Sequence, residues 1–318
     1  MLFPYRLTLA ASALVSSAVA LQATDSLSDA DIAQSGYLPN HNIDPTVLAN
    51  QDSESTYTVS FDTDEQFYAE PLVYTPNGSD QLIFLASSQN RIRTLDAKTG
   101  DVINARQVQT PFLNSDVNST AYGKTLGISG TPVVDPNTDI VYFFAKTYIP
   151  NFRAEGETGA YNGVYYFYGV DVNTLEDVPG FPILLDGYKS DNNPNEIFIG
   201  GLLQQDPSLV QVDDLVYGGF GGHSGSYPVY NDTALVVGVN VTSKQIVTDF
   251  SVQSSLKSNG QGPFTSGMAL STDGLHLFLV SRQGQSGTAA PKKRSLVQDE
   301  TFVSSSYLRL FGIPPVDN

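Results

Sequence analysis

A pattern of apolar strand, tight turn and second apolar strand recurs along the chain and limits what it can fold into. Three copies open near a proline, at Pro71, Pro132 and Pro207, and a shortened fourth copy begins at Gly267. The turns are rich in Asn, Asp and Gly, and Asn-Gly and Asp-Gly pairs tolerate the positive φ of tight hairpins. The pattern predicts successive antiparallel hairpins and an all-β fold.

The spacing of the copies indicates how these hairpins are arranged. Successive proline anchors lie 61 and 75 residues apart, which exceeds the roughly 40–50 residues of common propeller repeats, so long loops are inserted between strands. Antiparallel sheets of this kind need neighbours that bury their faces, which favours radial stacking. We predict a β-propeller-like fold with three recognisable four-stranded blades, a partial fourth and long inserted loops. A β-sandwich with coincidental turn spacing is the alternative.

The N-terminus has the features of a secretory signal peptide. Arg6 precedes an apolar run over residues 7–20, which ends Ala18-Val19-Ala20, a small-residue cleavage pattern. The run is short for a membrane span of roughly 20 residues, which disfavours an uncleaved anchor. We predict a signal peptide over 1–20, a polar lead-in over 21–56, the propeller domain over 57–285 and an irregular tail over 286–318, in which residues 301–310 could form a strand.

Four N-x-S/T sequons support the same route through a eukaryotic secretory pathway. They begin at Asn77, Asn118, Asn231 and Asn240. Together with the signal peptide they predict a secreted, extracellular glycoprotein. The basic run over residues 292–294 is either a dibasic processing site or a solvated loop.

Composition excludes several classes of function. The chain has no cysteine, so it can form no disulfide, iron–sulfur cluster or thiolate metal site. Removal of residues 1–20 leaves 15 Lys and Arg against 33 Asp and Glu, a net charge of about −18. So acidic a surface repels nucleic acid and anionic membranes. We therefore expect no nucleic-acid partner and no membrane span in the mature chain.

Four motifs within the repeats lie at residues 68–74, 95–100, 130–135 and 171–175. Together they resemble those of secreted fungal and bacterial proteins with PQQ-like (quinoprotein alcohol dehydrogenase-like) propeller repeats, and the resemblance covers about residues 36–285. It implies a propeller fold and, as one expectation, a quinone-dependent oxidoreductase with PQQ as cofactor. Such proteins usually carry a His-Cys pair where this chain has His223-Ser224, and they have a fuller ring of blades. A shortened, non-functional relative is therefore a further alternative.

One constellation of side chains points to a ligand site. Alignment of the second strands places Ser88, Lys146, Gly221 and Arg282 at nearly equivalent positions, which would meet at one mouth of a propeller channel. Lys146 and Arg282 would suit an anionic ligand, and His223, after a glycine-rich strand end, could act as a base or metal ligand. The ligand-binding candidates are thus Lys146, His223 and Arg282. Pairing of the cations with local carboxylates and simple packing of the histidine are the alternatives.

Sequence motifs for catalysis are missing from the chain. No G-x-S-x-G elbow occurs, and no helix signal follows the glycines at 218–222, so they are not a nucleotide-binding fingerprint. Residues 135–139 begin like a calcium loop but lack its later glycine and glutamate. We predict no catalytic residue and no metal site, and a module that binds a ligand or protein partner. Open sheet edges would also allow self-association.

Overall fold

The computed structural model describes most of the central part of the chain. It covers residues 58–62, 64–117, 123–150, 159–193, 195, 197–223 and 234–252, and the backbone of strands at 269–270, 276–281, 302–303 and 306–312. In these ranges the regular structure is almost entirely β. Among the same residues, no helix has the length and apolar character needed to cross a bilayer.

Sheet 1 contains four antiparallel strands that are neighbours in chain order. They are β1 (Leu72–Tyr74), β2 (Leu82–Ala86), β3 (Arg91–Asp96) and β4 (Val102–Gln107). The predicted Asn77-Gly78 turn joins β1 to β2, and Gly78 adopts a φ of 73°, which glycine reaches without steric cost. A short hairpin follows, formed by β5 (Phe112–Leu113), a 3-10 helix (Asn114–Val117) and β6 (Thr125–Leu126).

Sheet 2 repeats this up-and-down order. Its strands are β7 (Val133–Asp135), β8 (Ile140–Tyr148), β9 (Gly163–Asp171) and β10 (Ile183–Leu184). A 3-10 helix over Gly159–Asn162 leads into β9, and another over Gly200–Leu202 leads towards sheet 3. The second and third strands of this sheet, β8 and β9, have nine residues each and pair along their whole length.

Sheet 3 has five strands because its first strand is interrupted. The strands are β11 (Leu203–Gln205), β12 (Val210–Val212), β13 (Leu215–Gly222), β14 (Ala234–Asn240) and β15 (Gln245–Val252). Both β11 and β12 pair with β13, one at each end. Pro207 lies in the gap between them, where its missing N–H removes a ladder hydrogen bond.

Sheet 4 extends beyond the predicted domain boundary at residue 285. Its strands are β16 (Ala269–Leu270), β17 (His276–Ser281), β18 (Phe302–Val303) and β19 (Ser306–Gly312), in the spatial order β16-β17-β19-β18. The last two strands lie in the segment predicted as an irregular tail. β19 overlaps residues 301–310, where the sequence had allowed a strand. The fourth blade, predicted as partial, thus has four strands and takes them from both sides of the boundary.

Alternation along β8 explains how the first three sheets stack. Val141 and Phe143 point into a core shared with sheet 1, whereas Tyr142 and Phe144 point into a core shared with sheet 3. Both faces of sheet 2 are therefore buried, as the radial stacking of blades requires. Burial of each such aromatic side chain is worth about 1.5–3 kcal/mol. The predicted all-β, propeller-like fold is confirmed.

The segments that carry the three proline anchors lie next to one another. Thr131, which precedes Pro132, accepts the Glu70 N–H at its Oγ1 atom (3.0 Å). The carbonyl oxygen of Thr131 accepts the Leu209 N–H, also at 3.0 Å. Strand β4, at the opposite edge of sheet 1, is mostly exposed. The first strands are therefore the inner strands, and the fourth strand of sheet 1 lies outside.

Candidate functional site

Two of the three predicted ligand-binding residues meet in the structure. Lys146 lies near the end of β8, and His223 directly follows β13. The Lys146 Nζ atom lies 2.8 Å from His223 Nε2. Arg282 lies outside the described residues. Of the other aligned positions, Gly221 pairs with Gln204 on β11, and Ser88 Oγ accepts the Gln66 N–H at 3.2 Å.

The backbone of Lys146 forms hydrogen bonds with Gly127 and Asn90. Its N–H donates to the carbonyl oxygen of Gly127 at 3.2 Å, and its carbonyl oxygen accepts a hydrogen from Asn90 Nδ2 at 2.8 Å. A Cβ atom on Gly127 would lie only 2.5 Å from Asn90 Oδ1, so this close approach requires glycine. Lys146 has the same parity along β8 as Tyr142 and Phe144, so its side chain points towards sheet 3.

The Lys146 side chain is completely buried, at 0% exposure. Its ammonium group donates to the carbonyl oxygens of Leu203 (2.7 Å) and Gly201 (3.2 Å), and His223 supplies the third polar contact. The Phe112 ring centroid lies 4.2 Å from Nζ, and that of Tyr165 lies 5.6 Å away. Rings at these distances attract a cation through their quadrupoles. The polar needs of a buried ammonium are thus met by the chain itself.

The two carbonyl groups are positioned by a carboxylate and a glycine. Asp186 accepts the Gly200 N–H at Oδ1 (2.6 Å) and the Tyr165 N–H at Oδ2 (2.9 Å), which holds the 3-10 helix Gly200–Leu202 against β9. A Cβ atom on Gly201 would lie 1.4 Å from the carbonyl oxygen of Ala160. No other residue fits there without movement of the backbone.

Burial governs the protonation of this group of residues. It lowers the pKa of Lys146 well below its ordinary value, and the negative charges of Asp186 and Asp206 oppose that effect. The pKa of His223 is lowered by burial and, secondarily, by the Lys146 ammonium. Burial raises the pKa of Asp186 to about 6, against the two N–H groups that it accepts and the Lys146 charge. Burial therefore disfavours the charged forms of both Lys146 and His223.

An amine beside an imidazole resembles an activated nucleophile and its base, but this amine is enclosed. Each of its polar contacts is to a group of the chain, and its exposed area is nil. The partners are carbonyls and an imidazole rather than the local carboxylate that the sequence allowed as an alternative. In this arrangement Lys146 links sheet 2 to the start of sheet 3. Its use by an external ligand stays a prediction.

A further buried carboxylate has no signal in the sequence. Asp249 on β15 is 1% exposed, and its Oδ1 atom accepts the Ser190 hydroxyl at 3.0 Å. The neighbouring Asp191 accepts the Asp249 N–H at 3.1 Å. Burial and the Asp191 charge raise the pKa of Asp249 to about 6, against the Ser190 hydrogen bond. In so acidic a chain, no local pattern distinguishes this aspartate from the exposed ones.

Two of the four sequons fall on described residues. Asn77 is exposed in the turn between β1 and β2. Asn240 ends β14, and its Oδ1 atom accepts the N–H groups of Thr242 (3.0 Å) and Ser243 (2.7 Å). Asn118 and Asn231 lie outside the described residues. An exposed hairpin turn is a position at which a glycan can be accommodated.

The cofactor that the resemblance implies, PQQ, is a planar tricarboxylate and needs accessible cations. Lys146, the described cation that was predicted to hold such a ligand, is enclosed, and Arg93 forms a buried two-point ion pair with Glu65 at 2.7 and 2.9 Å. The described part of the predicted ligand site therefore does not fit PQQ. The described part of the chain also contains no group of three or more His, Cys, Asp or Glu residues that could hold a metal ion.

Comparison with known proteins yields similarity to solved structures only. Neither a protein-family model nor a curated protein matches this chain. Quinohemoprotein alcohol dehydrogenase from Comamonas testosteroni matches at 10% identity and a TM-score of 0.39, over 73% of this chain and 40% of that one. The enzyme of the same kind from Pseudomonas putida HK5 matches at 10% identity and a TM-score of 0.36, over 67% of this chain and 34% of that one.

BamB from Moraxella catarrhalis is also similar, at 15% identity and a TM-score of 0.30, over 72% of this chain and 69% of BamB. The chain spans about two fifths or less of the length of the two dehydrogenases. Because all three TM-scores lie below 0.5, the fold is established here by the sheets and their packing, and none of these likenesses decides the function.

Proposed function

We propose that this is a secreted, glycosylated, propeller-like protein that binds a ligand or protein partner without catalysing a reaction. One observation carries the proposal. Lys146 and His223 are the predicted site residues that could act as a nucleophile and a base. Both contact each other, and Lys146 also donates to the chain's own carbonyl groups. The pair stabilises the scaffold, which leaves recognition to the surface loops that connect the strands.

Sequence features support the extracellular part of the proposal. The predicted signal peptide over residues 1–20 and the four sequons fit passage through a secretory pathway. Asn77 lies in an exposed turn of the fold, where a transferase can reach it before or after folding. The acidic surface suits a protein that stays clear of nucleic acid and anionic membranes.

Self-association through sheet edges is part of the same proposal. Strand β4 is an edge strand of sheet 1, and its residues Val102 and Ile103 are 47% and 54% exposed. Exposed apolar residues on an unpaired edge favour pairing with another chain. Sedimentation velocity of the wild type and of V102K/I103K tests it, because edge lysines disfavour such pairing. If both proteins remain monomeric at high concentration, self-association through the β4 edge is excluded.

The test of the binding proposal is native mass spectrometry of the protein secreted by a eukaryotic host, before and after enzymatic deglycosylation. We expect cleavage after Ala20, a mass shift for each occupied sequon, and one glycan fewer in N77Q. A dye-linked oxidation assay with added PQQ runs in parallel, and we expect no dye reduction. A retained quinone, or quinone-dependent dye reduction, would overturn the proposal in favour of an oxidoreductase.

A further inference from the structure

We infer that the enclosure around Lys146 Nζ is a binding site for a primary ammonium ion, which the chain fills with its own side chain. We call this enclosure the ammonium cradle. Its walls are the carbonyl oxygens of Gly201 and Leu203, the Nε2 atom of His223, and the rings of Phe112 and Tyr165. The inference concerns the scaffold and does not depend on whether an external ligand binds elsewhere.

The chemistry of the cradle matches one class of cation. A primary ammonium has three N–H donors, and the cradle presents two carbonyl oxygens and one imidazole nitrogen at 2.7 to 3.2 Å. The aromatic rings and the negative charges of Asp186 and Asp206 attract a cation, and they oppose the burial that lowers the pKa of Lys146. Nε2 of His223 accepts from Nζ in the tautomer that carries the ring proton on Nδ1, and it also lies 3.3 Å from the Gly201 carbonyl oxygen. A quaternary ammonium has no N–H group to donate to any of these atoms. A guanidinium is planar and larger, so it does not reproduce this arrangement.

The walls of the cradle are held independently of Lys146. Asp186 fixes the 3-10 helix that carries Gly201 through hydrogen bonds to the N–H groups of Gly200 and Tyr165. Close packing against Ala160 fixes Gly201 itself. The Tyr165 hydroxyl also accepts the Gln205 N–H at 3.1 Å, which holds in place the strand β11 that carries Leu203. Removal of the lysine side chain should therefore leave a preformed polar cavity rather than a collapsed one.

The cavity that Lys146→Ala leaves should bind an external ion of the same length as the atoms removed. Lys146→Ala removes Cγ, Cδ, Cε and Nζ, which together correspond to n-propylammonium. Loss of the lysine leaves buried acceptors without donors, which is costly, and an ion that supplies donors stabilises the folded state in proportion to its occupancy. We expect n-propylammonium to restore the stability that K146A loses.

The experiment compares K146A, wild type and the control variant K98A. Lys98 lies in the turn between β3 and β4 of sheet 1. Its side chain is 73% exposed and pairs with Asp80 at the surface, so its loss should change stability little. Thermal unfolding is followed by circular dichroism in the chloride salts of n-propylammonium, tetramethylammonium and potassium at equal ionic strength. The full secreted chain is used.

We expect K146A to unfold roughly 5 to 10 °C below wild type, and K98A to unfold with wild type. n-Propylammonium should raise the Tm of K146A in a saturable way and leave the other two proteins unchanged. Tetramethylammonium and potassium should have no such effect. No selective rise, or an equal rise in all three proteins, would overturn the inference.

If K146A does not fold in salt-free buffer, a refolding measurement tests the inference instead. K146A is refolded from urea in each of the three salts, and the yield of folded protein is quantified by size-exclusion chromatography. Recovery in n-propylammonium alone supports the ammonium cradle. Equal yields in n-propylammonium and tetramethylammonium would overturn it, because the latter has charge but no donors.

Discussion

Asp249→Asn should make the protein more stable at neutral pH and remove part of its response to mild acid. The carboxylate of Asp249 is buried at 1% exposure and lies beside Asp191, which raises its pKa from 3.8 to about 6. Above pH 6 the folded state therefore holds a charge that it disfavours. Asparagine keeps the acceptor for the Ser190 hydroxyl and removes that charge.

The sign and size of the effect follow from proton linkage. Because the pKa is higher in the folded state, the folded state binds the proton first as the pH falls. The stability contributed by protonated Asp249 is fully present below about pH 3.8 and is lost as the pH rises through about 6. A difference of about two pH units corresponds to about 3 kcal/mol. That value is the upper limit for the change between neutral and acidic pH.

The assay is urea unfolding of wild type and D249N at pH values from 4 to 7.5, followed by far-UV circular dichroism because the chain has no tryptophan. The difference in unfolding free energy between the two proteins isolates Asp249, since the other buried groups titrate in both. D249N should be the more stable protein at pH 7.5, and the wild type should gain on it by about 2–3 kcal/mol as the pH falls to 4. D80N, at an exposed aspartate, should follow the wild type. Parallel profiles for wild type and D249N would refute the reasoning.

Three other substitutions test packing and polar contacts, each by urea unfolding against wild type. E65Q should cost about 3–5 kcal/mol, because it leaves the buried guanidinium of Arg93 without its two-point partner; a loss below about 1 kcal/mol would contradict a buried ion pair. G201A should abolish folding or cost more than about 4 kcal/mol, since its Cβ would overlap the carbonyl oxygen of Ala160, and wild-type stability would show that the 3-10 helix can shift freely. N240Q should cost about 0.5–1.5 kcal/mol in deglycosylated protein through loss of the turn after β14, and an unchanged midpoint would remove that role.

Local signals explain why the strands could be predicted. The hairpin turns place Asn, Asp or Gly between apolar runs, and these residues act within a few positions of the chain. Pro71 and Pro132 also predicted the starts of sheets 1 and 2, whereas Pro207 follows the first strand of sheet 3. The three proline segments lie side by side through Thr131. The interruption at Pro207 was not foreseen, because pairing of both β11 and β12 with β13 depends on the register of a strand later in the chain.

The sequence by itself determined an all-β chain with repeated four-stranded sheets, because alternation and turn chemistry are properties of neighbouring residues. It also brought Lys146 and His223 forward as candidates. Only the tertiary structure decided that these two residues contact each other across 77 positions, and that backbone carbonyls, which no sequence pattern distinguishes, receive the ammonium. Burial depends on which sheets stack together. That stacking turns a cation that looked available for an anionic ligand into an enclosed link between sheets 2 and 3.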